Sequence, residues 1–261
     1  MRSTLLNCGV LLATLGATAG AAAEESPHTL TANVGLYSQY VFRGLTQTNE
    51  ELAIQGGADY SHSSGFYAGT WLSNVSWYSD TNAGNSNSIE WDLYGGFRKS
   101  WDNGFSGDAG YLRYHYPGSY PNPPLGTVKP HTDEVYAAIG WKWASLKYSY
   151  AFSNLFGVED SEGTDYLDLT VTVPLNDRFT AVAHAGRQKF KGASAYAELQ
   201  GTTNDALYSY EDYRATVNCS LGKGWTASLT YTTTTAKDAG YTVLGENIGD
   251  DQVVVGIART F

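Results

Sequence analysis

Basic residues, sulfur and long apolar runs are all scarce in this chain of 261 residues. Sixteen Lys+Arg stand against 26 Asp+Glu, a formal net charge of −10. A nucleic-acid binder needs a basic face to neutralise phosphates, and the balance here argues against one. Two cysteines cannot staple a disulfide scaffold. No uninterrupted run reaches the about 18 apolar residues that mark a membrane-crossing helix. Good helix formers are thin, whereas 29 Gly, 20 Tyr and 7 Trp are present. Aromatic residues and threonine suit pleated surfaces and glycine weakens helices, so the composition points to an all-β chain. The length fits one barrel or sandwich of about 250 residues.

The first 23 residues read as an export signal. Arg2 supplies a short positive start, residues 5–19 an apolar core, and Ala21, Ala22 and Ala23 a small-residue cleavage site before Glu24 and Glu25. Cleavage there would remove Cys8 and the only methionine, leaving Cys219 without an intrachain partner. The expected layout is therefore a cleaved signal at 1–23 and a single domain at 24–261.

From Thr29 onward apolar and polar residues alternate with period two, the pattern of strands with two unlike faces. In 30–43 one parity carries Leu30, Val34, Leu36 and Phe42, the other Thr31, Asn33, Gln39 and Arg43. In 89–101 Ile89, Trp91, Leu93 and Phe97 oppose Glu90, Asp92 and Arg98. Segments 146–156 and 166–175 repeat the design, each about as long as a tilted membrane-crossing strand, roughly 9–11 residues. In 66–79 and 105–116 both parities carry aromatics, and the facing is not readable.

The connections are sorted by length. Tight turns fall at 63–65, 102–104, 143–145, 175–178 and 222–224, several with the Gly or Asn that positive φ requires. Longer polar loops centre near Gln47, Asn82, Pro121, Ser161, Gly201 and Gly245. Five turns and six loops join twelve strands. Short turns on the periplasmic side and long loops outside are the habit of transmembrane barrels, in which closure pairs every backbone group. The expectation is an antiparallel up-and-down barrel of about twelve strands in the cell outer membrane. A soluble barrel with its apolar face inward is the competing architecture. Phe261, after Val253, Val255 and Ile257 on alternate positions, resembles the signal read by outer-membrane barrel assembly machinery, although Arg259 interrupts it.

The stretch 38–48 (SQYVFRGLTQT), with GFYAGTW at 65–71 and Ser73, Asn74 and Val75, resembles the TorF family of porin-like proteins. Segments 90–97, 110–118 (GYLRYHYPG), 147–157 (KYSYAFSNLFG) and the final Arg-Thr-Phe are similar to it too. The resemblance spans nearly all of the chain after the signal. It implies an outer-membrane barrel with a pore and names no substrate.

Motifs for chemistry are missing. No phosphate loop, HExxH or paired-cysteine motif occurs, and His28, His62, His115, His131 and His184 lack metal-ligand spacing. The acidic stretch 159–165 lacks the ligand order of a calcium loop. No cofactor, no metal and no enzymatic activity are expected. A lipid hydrolase would need a His and a Ser together on the outer face, and His184 is the best-placed histidine for it.

Alternation instead assigns charges to the lumen: Arg43, Glu90, Asp92, Arg98, Glu134, Lys142, Lys147, Asp168, Asp212 and Arg214. A lipid-facing Arg or Lys costs about 2–4 kcal/mol at the bilayer midplane. These groups either line a wet pore for passive diffusion of small hydrophilic solutes or ions, or pair across the interior and plug it. In the second case the loops would contact lipopolysaccharide or a partner. A twelve-strand barrel lies between filled eight-strand barrels and open sixteen-strand porins, so size does not choose between them.

Overall fold

The structure is a computed structural model and describes residues 26–81, 84–121 and 123–261. The signal assignment at 1–23 lies outside the described residues.

Twelve strands form one closed antiparallel barrel. They are β1 (His28–Tyr37), β2 (Ala53–His62), β3 (Phe66–Asn74), β4 (Ile89–Ser100), β5 (Phe105–His115) and β6 (Thr132–Trp141). The second half comprises β7 (Ala144–Ala151), β8 (Asp165–Pro174), β9 (Phe179–Lys189), β10 (Tyr210–Gly222), β11 (Trp225–Thr234) and β12 (Gln252–Thr260). Each strand pairs with the next in sequence and β12 closes on β1. The joints are unequal. Ten residue pairs join β1 to β2, whereas five, Asn33 with Thr260 to Tyr37 with Gly256, join β1 to β12.

The expected sorting of connections is present. The five short turns lie at one end and the six long loops at the other. One turn sits a residue earlier than expected: Trp141 pairs with Ala144, so the turn is Lys142 and Trp143. Lys142 takes φ 52 without being Gly or Asn, which is why the sequence did not mark it.

The apolar parity faces outward. Ile54, Ile139, Leu169, Leu229, Val253 and Val255 are all between 46% and 60% exposed. Such a continuous exposed apolar wall is stable against lipid rather than water. Aromatics edge it, with Trp101, Trp141, Trp143 and Trp225 at the turn end and Trp91, Tyr111, Tyr150 and Phe152 toward the loops. The ambiguous strands are now placed: Tyr67, Trp71, Leu112 and Tyr114 border the internal cavity, so their parity is the inner one.

Three of the loops carry described structure of their own. Loop 190–209 carries α1 (Ala195–Leu199) and α2 (Asn204–Tyr208), with Ser194 and Thr203 capping their first turns. Loop 235–251 carries α3 (Asp238–Tyr241). Loop 38–52 does not continue β1, as the alternation through Arg43 suggested, but folds into the barrel. Val41–Phe42 pairs with Leu45–Thr46, and Arg43 and Gly44 make the tip at φ 46 and 79. A Cβ at Gly44 would lie 2.8 Å from that of Asp212, so the close approach of tip to wall requires glycine.

Candidate functional site

The site is the interior. Inward side chains surround a cavity of about 390 Å³ that runs from near the turn end, at Asn218 and Thr226, up to loop 38–52. That loop forms its roof. The loop is held at its base by Gln47 N–H donating to Tyr40 O (2.7 Å) and Thr46 N–H donating to Ile248 O (2.8 Å).

Arg43 anchors the tip. Its guanidinium donates to Glu134 Oε2 on β6 (2.8 Å) and to Gln188 Oε1 on β9 (2.8 Å). It also lies 4.2 Å from the centroid of the Tyr166 ring on β8. Three strands on one wall thus converge on one side chain from a loop that begins at β1. Aromatics complete the roof: Tyr40, Tyr114 and Tyr116 are buried, with Phe42, Trp71 and Phe156 packed against them. Tyr40 and Tyr116 hydroxyls both donate to Glu90, at 3.1 and 3.0 Å.

The other charges proposed for the lumen have the following places. Asp92 borders the cavity beneath the roof. Arg98 lies 3.8 Å from the Tyr67 ring centroid and opposite Asp108 across β4 and β5. Lys147 lies 4.1 Å from the Tyr136 ring centroid and opposite Asp168. Arg214 borders the cavity opposite His184. Arg43 is interior as well, but it arrives through the loop rather than along a strand. Lys142 is a correction: the strand ends before it, and it sits exposed in a turn with its ammonium over Trp141.

His184 is a second correction. It faces inward, between Asp168 (Nδ1 to Oδ1, 3.4 Å) and Asp212 (Nε2 to Oδ1, 2.8 Å). Tyr166 donates to Asp212 at 2.8 Å and Thr170 to Asp168 at 2.8 Å. A histidine enclosed this way does not meet lipid at the outer face, the place the hydrolase option required. The acidic stretch ties loops together: Glu159 accepts from Ala195 N–H and Asp160 from Ala193 N–H, both at 3.0 Å. Among the described residues no group of three metal-ligating side chains converges.

Residues 21–261 match a family described as bacterial proteins of unknown function, Gcw_chp. The chain belongs to the Gcw_chp family. None of the curated proteins matches it significantly. Among solved structures it is similar to the NanC porin, with TM-score 0.54, 13% identity and coverage of 88% of this chain and 99% of that one. It is also similar to the KdgM porin, with TM-score 0.51, 9% identity and coverage of 88% and 99%. A further KdgM structure, at TM-score 0.51 and 8% identity, is described as a complex with disordered oligogalacturonate. At such identities the likeness establishes a shared fold, that of outer-membrane porins.

Several interior groups of this Gcw_chp chain escaped the sequence reading. Asp59 accepts from Tyr94 O–H (2.6 Å), and Asp108 from Tyr67 O–H (2.6 Å), whose oxygen also bonds that of Tyr136. Asp59 lies in a strand too rich in glycine and small residues to show a parity, and Asp108 in one whose two faces both carry aromatics.

On the outer wall at the loop end, His131 stacks on His115 with centroids 4.6 Å apart and accepts at Nδ1 from Tyr116 N–H (3.2 Å). Burial, then the positive groups of His115, Arg113 and Lys129, push its pKa down to about 4. The unfolded imidazole, near the usual 6.5, takes its proton first as pH falls. His131 thus contributes stability that is complete above about 6.5 and declines as pH falls toward 4. An NMR titration of the His131 ring is expected to show a midpoint near 4. A midpoint near 6.5 would show that this packing does not form.

Proposed function

We propose that the chain is a porin-like channel of the outer membrane that passes small hydrophilic solutes or ions by diffusion. The observation that carries this reading is the inverted polarity of the wall: charged and hydroxyl groups surround the internal cavity while the apolar parity faces out. The fold shared with KdgM and NanC and the resemblance of residues 38–48 to TorF proteins support it. No turnover chemistry is involved; paired charges along a narrow wet path bias which ions pass. Export through the signal at 1–23, recognition of Phe261 by assembly machinery and contact with lipopolysaccharide belong to the same reading.

One observation favours the second reading, a plugged barrel whose loops meet a partner. Loop 38–52 crosses the interior, and Arg43 ties it to the far wall. In the channel reading this loop is a constriction; in the plug reading it is a seal.

Planar-bilayer recording on the refolded protein without residues 1–23 decides between them. Stepwise currents are expected, with a reversal potential under a salt gradient that reports the sign of the selected ion. Repeated silence from demonstrably folded protein would reject the channel and leave the seal.

A further inference from the structure

We infer that the cavity roof contains a binding site for an organic ammonium group, formed by Asp92 and four aromatic rings. The inference rests on the channel reading for its role in transport, and it names the class of solute the constriction would select.

The site follows from register. Asp92 on β4 is the cross-strand partner of Trp71 on β3 and of Tyr114 on β5, so all three side chains share one patch of the inner wall. Loop 38–52 brings two more rings over it. Tyr40 meets Trp71 edge-on at 5.3 Å between centroids, and Phe42 meets Tyr114 at 5.6 Å. Tyr40 and Phe42 themselves lie 6.5 Å apart, so the four rings form one cluster, which Asp92 adjoins at Trp71 and Tyr114. All five residues border the cavity.

One oxygen of the carboxylate is uncommitted. Asp92 is 8% exposed, and its Oδ1 is buried without a hydrogen-bond partner among the described residues. A buried carboxylate oxygen left bare is costly unless a cation or a proton joins it. The nearest loop cation does not serve, because Arg43 is held by Glu134 and Gln188. The ring hydroxyls do not serve either, since Tyr40 O–H is directed to Glu90 and Tyr114 O–H to Glu134. Glu90 accepts from two tyrosine hydroxyls and Glu134 is paired with Arg43, so neither neighbour offers Asp92 a donor.

The chemistry selects within cations. A small inorganic ion gives up bound water on entry and needs several oxygen ligands in return, whereas this site offers one carboxylate and ring surfaces. An alkylated ammonium is weakly hydrated and is attracted by aromatic faces as well as by the carboxylate. An anionic solute finds no donor on this carboxylate.

The test uses the refolded barrel in detergent, titrated calorimetrically with choline, with tetramethylammonium and with the neutral carbon isostere of choline. Both cations are expected to bind and the isostere at least about tenfold more weakly, the loss of one favourable charge contact of about 1.4 kcal/mol. Asp92→Asn is expected to weaken choline by about the same factor. Asp177→Asn, in the exposed turn 175–178, is expected to leave choline binding unchanged. Equal binding of the isostere, unchanged binding in Asp92→Asn, or no binding by folded protein would each overturn the site. Bilayer recording separates the two ideas. Conductance from protein that does not bind choline in the calorimeter rejects the site and keeps the channel; choline binding without conductance keeps the site and rejects the channel.

Discussion

Arg43→Ala is expected to lower stability by about 3–5 kcal/mol, the range for stripping one partner from a buried ion pair. The side chains of Arg43 and Glu134 are only 7% and 3% exposed. With the guanidinium gone, Glu134 keeps Tyr114 O–H at 3.3 Å, a long bond that cannot replace a charged donor. Gln188 Oε1 loses its donor as well. The double variant Arg43→Met, Glu134→Leu removes both charges, and most of the loss is expected to return. Urea unfolding in lipid vesicles, run as a double-mutant cycle, measures the coupling. Additive single effects would mean that the pair does not hold the loop. Because Arg43 is the far anchor of the tip, the single variant is also expected to raise channel conductance severalfold. A stability loss with unchanged conductance would place the constriction elsewhere.

Gly96→Val is expected to destabilise by about 3 kcal/mol, the upper range for forcing extra carbons into a closed space. Gly96 and Gly110 face each other across β4 and β5, and Tyr67 lies over the gap. A Cβ at Gly96 would meet the carbonyl oxygen of Ala109, Gly110 Cα at 2.9 Å and the Tyr67 hydroxyl at 2.6 Å. Two of those atoms are backbone and cannot swing aside, so either the ladder opens or the tyrosine leaves the wall. Leaving the wall would break its bonds to Asp108 and Tyr136 and its stacking under Arg98. The adjacent Gly95 is the control. It points outward, and a Cβ there would come no closer than 3.2 Å, to Tyr67 O. Gly95→Ala is therefore expected within about 0.5 kcal/mol of the parent. Equal losses at both positions would show that strand propensity, not the tyrosine cover, sets the cost.

What the sequence showed of this fold depended on what each face touches. In β1, β4, β7 and β8 the outer residues meet lipid and the inner ones a polar interior, so alternation alone assigned Glu90, Asp92, Lys147 and Asp168 to the interior. In β3 and β5 the inner face packs under a loop. Trp71, Leu112 and Tyr114 there are as apolar as Leu72 and Tyr111 on the other side, and hydrophobicity stops telling the faces apart. The same loop explains Arg43: its polar parity reads as a strand continued, while the chain has already turned inward on Arg43 and Gly44. Lys142 misled for a local reason, a left-handed turn residue of a type that rarely announces one. His184 was hidden because β9 places Ala181, Ala183 and Ala185 on the lipid side, too small to mark it. The Asp92 environment was unreadable for a different reason. Its rings come from β3, β5 and the loop, and only register and inward folding bring them together.

The inequality of the barrel's joints has a consequence for how the molecule is made. Eleven joints unite neighbours in sequence and can zip one hairpin at a time. The remaining one unites strands separated by nearly the whole chain, so closing it demands the largest loss of chain freedom. It is also brief, five pairs where β1 and β2 have ten. Until those five form, both edge strands present bare backbone to hydrocarbon, which lipid cannot satisfy. Insertion should therefore be governed by one late event, a wrap-around in which the last strand finds the first. The roof comes into being at that moment too, because loop 38–52 leaves the first strand and is pinned through Ser38 to Val255 on the last. A half-inserted sheet would carry a loose loop and no constriction, and one act of closure completes both wall and gate.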